Sequence, residues 1–103
     1  MSKEIIIKRE YYPSGQLRLE TNHNDGVRHG LHRVWHEDGP VEWKENYRNG
    51  KLHGLSQRYY PNGVLRMEVN YKNGVPHGTQ RHWERDGQLQ AEYNYQNGKL
   101  VNN

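Results

Sequence analysis

Tyr59–His77 reads YYPNGVLRMEVNYKNGVPH, and the rest of the chain repeats it. Carried along the chain at a step of 24 residues, its two glycines and Gly78, which follows it directly, account for all 11 glycines present, in three registers. Gly15, Gly39, Gly63 and Gly87 form the first, Gly26, Gly50, Gly74 and Gly98 the second, and Gly30, Gly54 and Gly78 the third. A fixed period in the twenties marks a repeat architecture whose single unit cannot bury an apolar face alone. The 103 residues therefore divide into four units, approximately 7–30, 31–54, 55–78 and 79–102, within one domain spanning 1–103.

Each unit carries two different turns. Tyr60-Pro61-Asn62-Gly63-Val64, with its copies at Tyr12–Gln16, His36–Pro40 and Glu84–Gln88, has the chemistry of a three-residue hairpin loop. There a type I turn is closed by a left-handed glycine. Such a loop pairs Tyr60 with Val64 and Tyr59 with Leu65, and continues to Gln57 with Met67 and Leu55 with Val69. It also sets Tyr11 against Leu17, Trp35 against Val41 and Trp83 against Leu89, four aromatic–aliphatic pairs of a favourable cross-strand kind. Asp25-Gly26, Asn49-Gly50, Asn73-Gly74 and Asn97-Gly98 signal two-residue hairpin turns. A turn at Asn49-Gly50 pairs Tyr47 with Leu52, and uninterrupted pairing would then expel Leu55 and Tyr59 from the inner face. The expectation is that a bulge at Gly54, and at Gly30 and Gly78, restores parity.

The predicted fold is all-β, a single-layer antiparallel meander of eight strands at about 4–12, 16–24, 31–36, 40–48, 55–60, 64–72, 79–84 and 88–96. One face is expected to hold Leu17, Leu19, Trp35, Val41, Trp43, Tyr47, Tyr59, Leu65, Met67, Val69, Tyr71, Trp83, Leu89, Tyr93 and Tyr95. The opposite, solvated face would hold Arg18, Glu20, Glu42, Lys44, Arg66, Glu68 and Glu92. Hydrophobic residues make up only 31% with no Phe, which suits a sheet wet on one side rather than a two-sided core. Beyond Gly98, Val101-Asn102 replaces the His-Gly step, so fraying is expected there.

Composition excludes several functions. No cysteine means no disulfide framework and no thiolate metal site. No secretory apolar region or spanning segment is evident, Ile5-Ile6-Ile7 being far too short, so the cytoplasm is the expected compartment. A net charge of +3 with interleaved signs makes nucleic acid an unlikely partner. The serines Ser2, Ser14 and Ser56 lie in a terminus, a turn and an outward strand position, and no carboxylate pair stands out, so no catalytic constellation exists and an enzyme is not expected.

The joint spacing Tyr-Tyr-Pro-Asn-Gly-x-Leu, Tyr-x-Asn-Gly and x-x-His-Gly, over about residues 7 to 100, resembles MORN repeats. It is closest to the bacterial variant repeat of the YwqK-type toxin–antitoxin antitoxin family. Usual MORN units carry a further glycine two residues after His-Gly, where this chain has His32, Ser56 and Gln80. The resemblance implies an elongated single-layer sheet used for protein contacts, in some members to neutralise a toxin. It also leaves open a peripheral, phospholipid-associated membrane scaffold.

Two sets of residues invite a functional reading. His29, His53 and His77 recur beside glycine, but one repeat separates them by two strands, about 9–10 Å, too far to converge on one ion. They are expected to pack on, or hydrogen-bond to, the turns; no metal or cofactor is expected, loosely placed His32, His36 and His82 being the one alternative source of a metal site. Arg9, Arg33 and Arg81, with Gln57, are expected in the middle of the inner face, Arg33 opposite Trp43. They either snorkel their heads into water or, with Trp35, Trp43, Tyr59 and Trp83, form a groove that grips a partner protein. Tyr12, Arg58, Tyr60, His32 and His36 are expected on the other side, where Glu10, Glu84 and Glu92 dilute the positive potential. Ile5, Ile6 and Ile7 form an apolar outer strand suited to a homodimer or to a folded-over cap.

Overall fold

The structure, a computed structural model, describes residues 4–101. Ten strands form one antiparallel sheet: β1 (Ile5–Tyr11), β2 (Leu17–Asn24), β3 (Val27–Trp35), β4 (Val41–Arg48), β5 (Lys51–Leu52), β6 (Gly54–Tyr59), β7 (Leu65–Lys72), β8 (Val75–Trp83), β9 (Leu89–Gln96) and β10 (Lys99–Leu100). Neighbours in sequence are neighbours in space, β5 being the short start of the strand that β6 continues. The sheet stays open at both edges, and no helix occurs among the described residues. With extents of 47 × 38 × 13 Å the molecule is one layer thick.

Both turns form as their sequences dictate. Tyr60 N–H donates to Val64 O at 2.8 Å and Gly63 N–H to Tyr60 O at 2.9 Å, a geometry repeated at Tyr12, His36 and Glu84. Gly63 has φ 89°, the left-handed value that closes this loop. At the second turn Asn49 has φ 51° and Gly50 φ 83°, two successive positive values of a type I′ turn, and Tyr47 pairs with Leu52. Asparagine tolerates the left-handed region better than other side chains, hence its recurrence there.

Parity departs from expectation. The four aromatic–aliphatic pairs form, Tyr59 meeting Leu65, but the next pair is Arg58 with Met67, not Gln57 with Met67. Arg66 is an extra residue, as are Arg18, Glu42 and Gln90 in the other hairpins. That bulge flips the face: Leu65 and Met67 point to opposite sides. Ser56, not Leu55, consequently meets Val69. At the other end of the strand Gly54 does not restore parity. The register passes from Tyr47–Leu52 to Trp43–Arg58, an offset of two that leaves Leu52, Gly54, Ser56 and Arg58 on one face. Apolar residues are thus shared between both faces, and the expected contrast of an apolar and a wet face does not hold. Strands β3 and β8 also begin at Val27 and Val75, before the glycine bulge. The expected fraying after Gly98 is replaced by β10, with Val101 N–H bonded to Asn94 O at 2.8 Å.

One face, here the cradle face, carries the least exposed residues: Val34, Val69, Thr21, His32, Glu45 and Ser56. With no second layer, these side chains are covered only by their lateral neighbours. The other face carries Arg9, Arg33 and Arg81 and is called the ladder face below.

Successive units are stapled at the Asn-Gly turns. Gly50, Gly74 and Gly98 N–H donate to the carbonyls of Arg28, Leu52 and Pro76 at 2.8 to 2.9 Å. His29, His53 and His77 Nδ1 accept from Asn49, Asn73 and Asn97 N–H at 3.3 to 3.5 Å. The recurrent histidines therefore serve the turns, as the sequence suggested. The histidine rings, with the carbonyls of Arg28, Leu52 and Pro76, satisfy amides that a free turn would leave to water. Gly50 sits tightest, since a Cβ there would lie 3.1 Å from Val27 Cγ1, whereas at Gly26, with almost the same φ, it would meet nothing within 4 Å. Both alanine variants should lose about 1–2 kcal/mol from the left-handed strain. Gly50→Ala should lose more, and Val27→Ala should recover only that excess, as read from urea unfolding midpoints.

Candidate interaction face

Along the ladder face one residue from each of the eight long strands lines up across the sheet. The first half of the row is Arg9, Glu20, Arg33 and Lys44, and the second half is Gln57, Glu68, Arg81 and Glu92. Glu20 accepts from Arg9 Nε at 2.8 Å and from Arg33 Nη2. Glu68 accepts from Gln57 Nε2 at 2.8 Å, and Arg81 Nε donates to Glu92 at 2.7 Å while its Nη1 lies 3.9 Å from Glu68. The bonds from Arg33, then Arg9, hold the Glu20 carboxyl below its ordinary 4.5. Bonding to Glu92 likewise raises Arg81. The guanidinium side chains are exposed while Glu20 and Glu68 are half-buried, and each pair contributes little stability alone. Their effect is orientation: each guanidinium is tied to a carboxylate on a neighbouring strand.

A second row runs beside the first, made of Tyr11/Leu17, Trp35/Val41, Tyr59/Leu65 and Trp83/Leu89. The Arg33 guanidinium lies 5.1 Å from the Trp35 ring centroid, and Lys44 Nζ lies 5.7 Å from that of Tyr59. Tyr59 OH donates to Gln57 Oε1 at 3.3 Å. On the other flank, Asn22 and Asn46 Nδ2 bond the carbonyls of Leu31 and Leu55. Cations stacked on aromatic rings, next to exposed Tyr11 and Leu89, make a surface that is both sticky and ordered.

Arg9, Arg33, Trp35, Tyr59, Arg81 and Trp83 are thus brought together on one face. Trp43 is not: Arg33 faces Lys44, and Trp43 sits on the cradle face opposite Val34 and Arg58. The Arg58 guanidinium stacks over Trp43 at 4.6 Å. Glu45 meets His32 and Thr79 meets Asn94. Glu20, Lys44, Glu68 and Glu92, expected on the far side, join the arginines instead. Sequence reasoning missed this ladder, although Arg9 to Glu20, Arg33 to Lys44, Gln57 to Glu68 and Arg81 to Glu92 share one separation of 11 residues.

The cradle face holds a cavity of about 510 Å³ lined in part by Tyr12, Arg28, His32, Trp43, Glu45 and Tyr47. Tyr12, Arg58, Tyr60, His32 and His36 all border this cavity or its smaller neighbour. Tyr12 and Tyr60 reach the next hairpin, their hydroxyls donating to Trp35 O at 2.6 Å and Trp83 O at 2.8 Å. Tyr47 OH donates to buried Glu45 at 3.1 Å and accepts from Arg28 Nη1 at 3.2 Å. Burial, then Glu45, raises the Tyr47 pKa. No cluster of metal-ligating side chains occurs among the described residues.

A one-layer sheet of hairpin repeats, with ordered arginines and aromatics across a whole face, defines a repeat binding scaffold rather than an enclosed site. The chain belongs to the MORN repeat variant family, whose model matches residues 7–25, 52–73 and 76–101. No curated protein and no solved structure matches it. Residues 26–51, between the matched stretches, keep the hairpin geometry with His36 in the place of Tyr60.

Burial, then Arg28, pushes the His32 pKa below its ordinary 6.5. The unfolded chain therefore takes up this proton first, so the contribution is complete above pH 6.5 and lost as pH falls through the depressed value. Glu20 titrates only below 4.5 and leaves that window clear. Between pH 7.5 and 5.5 the wild type should lose stability that a His32→Gln variant does not, the difference appearing in their denaturation midpoints.

Proposed function

We propose that the protein is a non-enzymatic protein-binding module of the inhibitor or antitoxin type, holding a partner protein on its ladder face. The observation that carries this reading is the row of Arg33, Arg81, Trp35, Tyr59 and Trp83 on a sheet 13 Å thick. No second layer among the described residues covers these side chains. Arg, Trp and Tyr are the residues most often found as binding anchors. A face 47 by 38 Å also exceeds the roughly 800 Å² that one partner usually buries. Family membership supports a binding or scaffold role in general. The specific form proposed is a small cytoplasmic protein that blocks a toxin, or a phage or mobile-element protein that blocks a host defence enzyme.

The paired charges explain how such a face could be selective. Glu20, Glu68 and Glu92 already neutralise Arg9, Arg33 and Arg81, so a partner needs alternating charges in register rather than bulk negative charge. That also disfavours simple adsorption to an anionic membrane.

The test is capture of partner proteins from native-host lysate by tagged wild type, a Trp35→Ser/Trp83→Ser variant and an Arg58→Ser variant. One stoichiometric protein retained by wild type and Arg58→Ser, but reduced at least about 30-fold by the double variant, is expected for hot-spot loss. Co-expression should then relieve the growth arrest or block the defence activity caused by that protein. Loss in Arg58→Ser alone would move the site to the cradle face. Salt-sensitive pelleting with anionic vesicles and no captured protein would replace the reading with a membrane scaffold.

A further inference from the structure

The two edges of the sheet are built differently. Beyond β9 the edge is shortened by β10, and its open part carries Gln90 and Glu92. Short caps and charges are the usual protection of a sheet edge. β1 has neither. All seven of its residues are exposed, Ile5, Ile6 and Ile7 at 73%, 40% and 49%. It also lacks the bulge that bends the corresponding strands, because Ile5-Ile6 stands where the later units have His29-Gly30, His53-Gly54 and His77-Gly78. Its pairing with β2 runs unbroken from Ile5–Asn24 to Glu10–Leu19. A straight strand with an apolar first half and no partner on its outer edge among the described residues is a template for another strand.

We infer that β1 pairs antiparallel with β1 of a second copy about a two-fold axis at Ile6. The backbone fixes which groups are free. Glu4 O accepts from Asp25 N–H and Tyr12 N–H donates to Gln16 O, so both residues turn their amides toward β2. Alternation then gives Ile6, Lys8 and Glu10 the same direction and leaves Ile5, Ile7 and Arg9 with amides facing outward. Only registers that oppose odd-numbered residues to odd-numbered ones can form the ladder. Placing Ile6 on the axis sets Ile5 against Ile7 of the second copy and Glu4 against its Lys8, with the mirror-image pairs by symmetry. Moving the axis to Ile7 would instead oppose Glu4 to Glu10, and moving it to Lys8 would oppose two lysines. Of these three axes only the one at Ile6 opposes unlike charges among the described residues.

A two-fold pairing uses β1 of both copies, so it closes at two copies instead of running on through β1 as a fibre. On the opposite edge Val101, at the Ile5 position of the repeat, is already bonded to Asn94 O. An axis normal to the sheet puts both ladder faces on the same side, giving a bivalent surface. The dimer itself does not depend on what that surface binds.

Light scattering on a size-exclusion column at tens of micromolar should give twice 12.3 kDa for wild type. Ile7→Pro removes an outward N–H that β2 does not use, so it should raise the dimer dissociation constant by at least about 100-fold while the β-sheet circular dichroism is retained. The chain has no cysteine of its own. Oxidised Ile6→Cys should thus run as a covalent dimer on a non-reducing gel, the facing Cα atoms of such a pair being about 4.5 Å apart. Ile5→Cys and Ile7→Cys should not cross-link. A monomeric wild type, a folded Ile7→Pro that still dimerises, or cross-linking at Ile5 or Ile7 in place of Ile6 would each overturn the pairing.

Discussion

Hydrogen bonds from each Asn-Gly turn to the strand before it hold this sheet in one piece. Gly50, Gly74 and Gly98 hang from the carbonyls of Arg28, Leu52 and Pro76, and the histidine of each His-Gly step receives the neighbouring amide. A protein with a core can let its turns hang free, because burial holds the strands in place. A layer 13 Å thick has no such reserve. Its hairpins must be joined edge to edge by directional bonds, so the spacing of glycine and histidine is fixed more strictly than the identity of the apolar residues between them. Replacement of His36-Glu37 for Tyr60-Pro61 changes the loop chemistry yet leaves the loop hydrogen bonds intact, as this view requires.

The extra residue at Arg18, Glu42, Arg66 and Gln90 has the largest consequence for binding. By splitting Leu65 from Met67 and Val41 from Trp43, it gives each face some of the apolar residues and some of the charges. Neither face is then plain solvent surface. The cradle face covers Val34, Val69 and His32 with lateral neighbours, and the ladder face sets charges of alternating sign beside a row of rings. A sheet with every apolar residue on one side would invite face-to-face stacking, whereas this arrangement keeps both faces mixed.

Order along the ladder face comes from pairing rather than burial. Arg33 is held at once by Glu20 and by the Trp35 ring, and Arg81 by Glu92 and Glu68. Each contact is weak alone, but together they restrict long side chains before a partner arrives and so reduce the ordering cost of association.

The sequence by itself determined the all-β meander, both turn types, the first aromatic–aliphatic pair of every hairpin and the role of the recurrent histidines. Those features are local: glycine and asparagine set backbone angles within a few residues, and a period of 24 repeats them. Only the tertiary structure decided which side chains share a face. A β-strand alternates sides at every residue, so one bulge at Arg66 inverts everything beyond it, and nothing in the composition of Leu65-Arg66-Met67 announces the bulge. For that reason Trp43 moved away from the arginines while Glu20, Glu68 and Glu92 moved in beside them.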